Sequence, residues 1–144
     1  MGIIVVGSVI KKDNKYLLVQ EAQECCRGKW NIPTGLLDAN ETVFEGAKRE
    51  VFEECGYNVA LTGIANIGNR VINDNEFLGV IFSAEIIGGN IKLDEEEILD
   101  AKWLSYDEIM NMKDEIRSQD WILHAITAVE KNNIYNLELI QIIK

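Results

Sequence analysis

Three glutamates, Glu50, Glu53 and Glu54, lie within five residues of each other. At i, i+3 and i+4 of a helix they would span about 100° of its surface, so their carboxylates would share one face. Like charges at these spacings destabilise a helix by about a few tenths of a kcal/mol per pair, and a bound cation removes that conflict. Hard oxygen ligands suit Mg²⁺ or Mn²⁺, which also accept phosphate oxygens. The spacing therefore indicates a divalent metal site for a phosphate-bearing ligand.

The helix that would carry these glutamates is predicted over residues 42–55. Its apolar residues recur at helical spacing, which places them on one stripe at about 100° per residue. The residues of this stripe are Val43, Ala47, Val51 and Cys55. Gly56 follows, and a glycine in the left-handed conformation is a common helix end. These features predict an amphipathic helix that stops at Cys55.

Arg49 lies one residue before Glu50 and is predicted to occupy a different face of the helix. It can pair with Glu45 or Glu53, each four residues away, or reach back to Glu41 in the preceding loop. We interpret Arg49 as a positioning residue for the carboxylates rather than as a phosphate clamp.

The loop ahead of the helix is expected to supply other parts of a site. Thr34 and Gly35 lie in this loop, and a backbone carbonyl at either position could complete a metal shell. Arg27 and Lys29 precede them, and their charges suit terminal phosphates, which an arginine can bind through a bidentate fork. For these two cations the alternative is an exposed loop without a ligand.

Taken alone, an acidic spacing of this kind is more often a solvated helix face. The segment 35–57, however, matches every fixed residue of the pattern G-x5-E-x7-R-E-U-x-E-E-x-G-U, where U is a bulky aliphatic residue. At average residue frequencies, its positions from Gly35 to Gly56 would coincide by chance about once in 10⁹ starts. The segment resembles the signature of the Nudix hydrolase (MutT-like) family, and the resemblance extends to residues 27–33 and 98–104.

The resemblance implies an α/β fold, an αβα sandwich around a mixed sheet, as a single domain over residues 1–144. It also implies Mg²⁺-dependent (or Mn²⁺-dependent) hydrolysis of a nucleoside diphosphate linked to another moiety. Because 144 residues are close to a minimal domain, we expect a nucleoside di- or triphosphate, including an oxidised purine. ADP-ribose or a nucleotide sugar is the alternative substrate. A non-catalytic nucleotide sensor is the rival from another class, but a sensor would not need all three glutamates.

By position, the resemblance implies that Glu50, Glu53 and Glu54 are the metal-binding and catalytic carboxylates, organised by Arg49 and Glu41. Within this set we interpret Glu53 as the general base, and Glu50 and Glu54 as metal ligands. Three positions depart from the family pattern: Thr34 for a glycine, Leu36 for a lysine or histidine, and Tyr57 for an aliphatic residue.

A second acidic run, residues 94–97, is the candidate for a later loop from which members of this family also draw the base. Glu97 is nearest to the following predicted strand, so it is the residue expected to reach the metal. The alternative for the run is a helix start or a solvated turn.

Composition limits the classes of partner. The chain has 144 residues, 47% of them hydrophobic, and 14 Lys and Arg against 24 Asp and Glu, for a net charge of −10. We therefore expect neither duplex nucleic acid nor an anionic membrane as a partner, because basic surfaces bind both. No apolar run approaches the roughly 20 residues of a membrane span, and no signal peptide is recognised, so a cytoplasmic protein is expected. Three cysteines suggest no disulfide framework.

The elements that must position these residues are read from periodicity and turn signals. The predicted strands span residues 3–10, 16–20, 30–32, 58–67, 76–87 and 101–104. The further predicted helices span residues 106–112 and 121–130, and the tail 135–143 is predicted as strand or helix. A turn is expected at Asp74–Asn75 and a strand break at Gly88–Gly89. Strands with few helices favour one sheet covered on two faces.

Several aromatic residues and the tail have two interpretations. Trp121 could stack on a nucleobase or anchor an amphipathic helix, and the second is favoured. His124 is expected to be a packed or exposed helix residue rather than a ligand. Four aromatic residues are predicted for the core: Trp30, Phe77, Phe82 and Trp103. The tail could form a homodimer surface or cover the sheet.

Overall fold

In the computed structural model of the chain, residues 2–144 form a mixed β-sheet with helices on both faces. The seven strands in this range are β1 (Gly2–Lys12), β2 (Lys15–Glu21), β3 (Trp30–Asn31), β4 (Thr34–Leu36), β5 (Tyr57–Ile72), β6 (Asn75–Gly89) and β7 (Ile98–Ser105). The three α-helices are α1 (Val43–Cys55), α2 (Tyr106–Asn111) and α3 (Gln119–Glu130), with 3₁₀ turns at Glu24–Cys26, Lys113–Glu115 and Leu137–Leu139. The predicted α/β class is confirmed. No helix in this range is long and apolar enough to cross a bilayer.

The sheet runs in the order β3-β2-β1-β6-β5, with β4 also paired to β1 and β7 to β2. The strand β1 lies parallel to β6 and antiparallel to both β2 and β4, so one edge of β1 serves two partners. Asn31 of β3 connects β2 with β4 through its side chain. Its side-chain amide donates to the Glu21 carboxylate at 3.0 Å and to the Thr34 hydroxyl at 3.3 Å.

Two apolar layers lie on opposite sides of the sheet, because consecutive strand residues point to opposite faces. In β1, Ile10 packs with Val51 and Cys55 of α1. Its neighbour Val9 packs with the layer that contains Ile126 of α3. The sheet is therefore held between α1 and α3, as the predicted αβα sandwich requires.

The aromatic residues divide between the core and its margin. Trp30 and Phe82 are buried, as predicted. Trp103 and Phe77 are only partly buried, so the prediction that they are core residues is only partly correct. Phe77 borders the cavity described below. His124 is exposed on α3, where its Nδ1 lies 2.8 Å from the Asn66 side-chain nitrogen.

The β5–β6 hairpin is longer than predicted. Its turn lies at Asn73–Asp74, where both residues have a positive φ (48° and 64°), rather than one residue later. The predicted break at Gly88–Gly89 is wrong, since both residues pair with the start of β5. Gly89 has a φ of 80°, and a Cβ there would lie 2.4 Å from the Gly56 carbonyl oxygen, so the glycine lets the two backbones meet.

Two other segments differ from the sequence predictions. Residues 34–36, predicted as loop, form β4, because Gly7 of β1 leaves room for the backbone at Pro33 and the Thr34 side chain. The tail is neither a strand nor a long helix. The tail forms a single β-bridge, between Tyr135 and Ile64, and then one 3₁₀ turn at Leu137–Leu139.

Candidate active site

Helix α1 carries the three glutamates and is fixed at both ends. The Thr42 hydroxyl accepts from the Glu45 backbone N–H at 3.1 Å, and the Glu45 carboxylate accepts from the Thr42 N–H at 3.4 Å. This capping box satisfies donors that the first turn would otherwise leave open. At the other end Gly56 adopts a φ of 83°, which confirms the predicted helix stop.

Arg49 is the hub of the acidic cluster. Its guanidinium donates to both Glu41 oxygens at 2.7 and 2.9 Å, and to the Leu36 carbonyl at 3.0 Å. The same group donates to Glu50 at 2.8 Å and to Glu53 at 3.0 Å. The predicted contact with Glu41 is confirmed, and Glu41 carries a pKa lowered chiefly by this hydrogen bond.

The predicted separation of Arg49 from Glu50 is wrong, because the long arginine side chain folds back to its neighbour. The predicted pairing with Glu53 is found. Glu45, the alternative partner, is instead engaged in the helix cap. Arg49 therefore ties the loop before α1 to two of the three glutamates on the helix.

Glu54 is the buried carboxylate of the cluster, with only 8% of its surface exposed. Its Oε1 has no hydrogen-bond partner within the described chain. Burial raises its pKa to about 9, with further contributions from Glu50, Glu21 and Glu97, while a hydrogen bond from the Thr34 backbone acts in the opposite direction. A buried oxygen without a donor, among other carboxylates, is a position that favours a cation.

Gly35 makes room for Glu50. A Cβ at position 35 would lie 2.2 Å from the carboxyl carbon of Glu50, far inside contact distance. The Glu50 side chain is only 12% exposed, and burial raises its pKa despite the opposing effect of Arg49. The glycine of β4 thus lets this carboxylate lie directly on the strand backbone.

A cavity of about 770 Å³ opens beside α1. The acidic residues that line it within the described chain are Glu21, Glu50, Glu53, Glu54, Asp94 and Glu97. Arg70 and Arg117 are its basic lining residues in the same range. Glu97 lines this cavity together with the three glutamates of α1, and its carboxylate accepts from the Gln23 amide at 2.6 Å.

Another part of the cavity lining is apolar and aromatic, and it includes Phe77 and Trp121. The Trp121 indole lies over Gly68 and Gly79, which face each other in β5 and β6, and a Cβ at Gly79 would lie 2.2 Å from the ring. The indole N–H donates to the Asn66 side-chain oxygen at 2.6 Å. The ring is therefore fixed against the sheet and borders the cavity as well.

Residues that the sequence did not single out also line this cavity. Arg117 lies 3.4 Å from Oε1 of the buried Glu21 carboxylate, and the Asn31 side-chain amide donates to the same oxygen at 3.0 Å. Arg117 is an isolated basic residue in a polar stretch, and Glu21 merely ends a strand, so neither carries a spacing signal. Arg27 and Lys29 lie outside the large cavity and border a second one.

The donor set fits a hard divalent cation. Among residues 2–144, no three His, Cys, Asp or Glu side chains are already arranged closely enough to hold a metal. Arg49 occupies an oxygen of Glu50 and one of Glu53, whereas Glu54 keeps a free buried oxygen. Carboxylate oxygens are the ligands that Mg²⁺ and Mn²⁺ prefer. Rotation of Glu53, which is 54% exposed, would free it from Arg49.

Comparisons with known proteins identify the family of the chain. The family model of the NUDIX domain matches residues 2–125. The chain is 33% identical over 118 residues to putative nudix hydrolase 1 of Caenorhabditis elegans, covering 81% of this chain and 32% of that protein. It is 31% identical over 103 residues to the 8-oxo-dGDP phosphatase of Homo sapiens, covering 69% of this chain and 31% of that protein.

A solved structure of a NUDIX hydrolase from Nitrosomonas europaea aligns with a TM-score of 0.89 at 28% identity, covering 99% of this chain and 98% of that chain. The two curated relatives are much longer. The chain spans about a third of their length, 32% and 31% respectively.

Proposed function

The chain belongs to the Nudix hydrolase family, and on that premise we propose that it hydrolyses the pyrophosphate link of a small nucleotide with Mg²⁺ as cofactor. The strongest support is Glu54, which is buried and has a carboxylate oxygen with no partner among residues 2–144. Glu50, Glu21 and Glu97 raise its pKa further, and such a group of carboxylates around a buried oxygen is costly unless a cation joins them. A bound Mg²⁺ would be that cation.

The proposed roles of the residues are supported by the burial of Glu50 and Glu54 and the exposure of Glu53. When bound, Mg²⁺ or Mn²⁺ would neutralise charge on the anhydride oxygens and lower the pKa of a water molecule. Glu54 and Glu50, with the backbone carbonyl of Thr34, would hold the ion. Glu53 is the most exposed of the three glutamates and is assigned as the base that accepts a proton from the attacking water. Glu97, which lines the same cavity, is the alternative base.

A nucleoside di- or triphosphate is the proposed substrate class. The cavity is acidic near α1 and aromatic at Phe77 and Trp121, so a metal-bound pyrophosphate and a nucleobase would each meet suitable chemistry. A similar protein bears the name 8-oxo-dGDP phosphatase, which favours oxidised purine nucleotides as the first compounds to test.

The test is a panel of oxidised and ordinary nucleoside di- and triphosphates, ADP-ribose and nucleotide sugars, each with and without Mg²⁺. We expect Mg²⁺-dependent release of a nucleotide product, with kcat lowered about 10²-fold or more in Glu53→Gln and Glu54→Gln. Glu97→Gln is compared with Glu95→Gln, since Glu95 is exposed and outside the cavity lining. Nucleotide binding without turnover on every compound would favour the sensor instead.

A further inference from the structure

A second cavity of about 530 Å³ adjoins the site and is basic. Its charged lining residues within the described chain are Arg27, Lys29, Arg117 and Glu24. Three cations against one carboxylate give this surface a local charge of +2, whereas the whole chain carries −10. Basic residues are therefore concentrated at this cavity, in a protein whose net negative charge repels anions elsewhere.

The loop cations of this cavity are held by backbone oxygens and not by carboxylates. Arg27 donates to the Ala22 carbonyl at 2.8 Å, and Lys29 donates to the Asp114 carbonyl at 2.9 Å. Neither forms an ion pair with any residue in the range 2–144 for which the structure gives contacts. A carbonyl contact leaves the full positive charge in place, so both side chains keep donors and charge for an anionic ligand.

Arg117 connects the basic cavity to the catalytic one. Together with Ser118 it lines both cavities. Its backbone N–H donates to the Trp30 carbonyl at 2.8 Å, which ties the backbone of this residue to β3. The side chain is 39% exposed and meets Glu21 only at 3.4 Å, so its fork is free to bind a second partner.

We propose that Arg27, Lys29 and Arg117 form an anion site that binds a phosphate group of the substrate beyond the link held at the glutamates. The acidic cavity needs a metal ion before it can accept phosphate, whereas the basic cavity accepts phosphate directly. A polyphosphate that spans both would be neutralised by the ion at one end and by side chains at the other. The assignment of this anion to the substrate rests on the proposed function, whereas anion binding itself does not.

The binding test uses inorganic tripolyphosphate, the whole chain and no divalent metal. Calorimetric titration is expected to show saturable binding that is about tenfold or more weaker in the double variant Arg27→Gln, Lys29→Gln. Lys131→Gln is the matched control, because Lys131 is exposed and lines neither cavity. Equal affinity in the double variant and the wild type would overturn the proposal.

Location is tested with the thiols of the same cavity. Cys25 and Cys26 are free thiols whose sulfurs lie 3.3 Å apart in its lining. The alkylation of both thiols by N-ethylmaleimide is measured by mass spectrometry. Tripolyphosphate is expected to slow it in the wild type and in Lys131→Gln but not in the double variant. Binding that leaves the alkylation rate of the pair unchanged would place the anion elsewhere and refute the site.

Turnover separates this inference from the proposed function. In the double variant we expect KM for a nucleoside triphosphate to rise about tenfold, with a smaller rise for the matching diphosphate and a smaller effect on kcat than on KM. If the wild type hydrolyses no nucleotide, the proposed function fails whatever the titration gives. If it hydrolyses them with equal KM in wild type and double variant, only the role of the anion site in substrate binding fails.

Discussion

At the scale of single residues, Glu54 contributes to the pH dependence of the stability of the metal-free protein. Its pKa in the folded chain is raised to about 9, whereas its ordinary value is 4.5, so the folded state holds a proton that the unfolded state releases between these values. The contribution of Glu54 to the free energy of unfolding is therefore fully present below about pH 4.5 and is lost as the pH rises toward 9. Thermal unfolding without metal should show this decline in the wild type.

Glutamine at position 54 is neutral at every pH, so Glu54→Gln should flatten the dependence and unfold at a higher temperature than the wild type near pH 9. Glu95→Gln, on an exposed residue outside the cavity lining, should follow the wild type. Parallel curves for wild type and Glu54→Gln would mean that Glu54 is not held protonated by its surroundings.

Arg49 is expected to act on the reaction through the carboxylates it holds. Arg49→Lys keeps the charge, but its three N–H donors lie on one nitrogen and cannot replace the five hydrogen bonds that the guanidinium makes to Glu41, Glu50, Glu53 and the Leu36 carbonyl. A carboxylate misplaced by about 1 Å costs about 10²-fold in rate, so we expect kcat to fall by that order. KM should change much less, which a steady-state assay would reveal. If instead KM rose about 10²-fold while kcat stayed the same, Arg49 would be a substrate contact.

The sequence predicts residues best where spacing encodes chemistry. The positions of Glu50, Glu53 and Glu54 on one helix follow from helical periodicity and are found in the structure. The contact of Arg49 with Glu41, in the loop before the helix, is one of the partners expected from the sequence and is also found. Arg117, Glu21 and Asn31 could not be found in this way. They are distant in sequence and meet only because β2, β3 and the segment before α3 are brought together by the sheet.

At the scale of elements, the short strand β4 positions the site more than its length suggests. Gly35→Ala would put a methyl group 2.2 Å from the Glu50 carboxyl carbon, so the carboxylate must move. We expect kcat to fall about 10²-fold, because such a shift exceeds the tolerance of a catalytic geometry. Gly88→Ala is the matched control, since a Cβ there meets nothing closer than 3.8 Å. Equal activity in both variants would show that Glu50 tolerates displacement.

The elements themselves were predicted unevenly, for physical reasons. Helix α1 has a capping residue, an apolar stripe and a terminal glycine, so its range is predicted almost correctly. The strand β4 has three residues and no period to detect, and it exists because β1 offers an edge beside Gly7. Gly88–Gly89 indicated a break from local propensity, but pairing with β5 overrides that propensity.

At the scale of the whole molecule, the acidic cavity links metal binding to folding. The chain carries a net charge of −10, and six carboxylates among the described residues line one cavity with two arginines. Such repulsion weakens the compact state until a cation binds. A ligand that binds only the folded state stabilises it by about 2.7 kcal/mol at a concentration about 100 times its Kd. For a chain of this size, that corresponds to about 5–10 °C in Tm.

We therefore expect Mg²⁺ to raise the Tm of the wild type by about 5–10 °C at saturating concentration near pH 7.5. The rise should be lost in Glu54→Gln, which removes the buried oxygen without a partner, and kept in Glu95→Gln. Because the readout is unfolding and not turnover, it separates loss of the ion from loss of the catalytic base. Glu53→Gln should accordingly keep much of the Tm rise while losing activity. The same Tm rise in Glu54→Gln as in the wild type would place the ion away from α1.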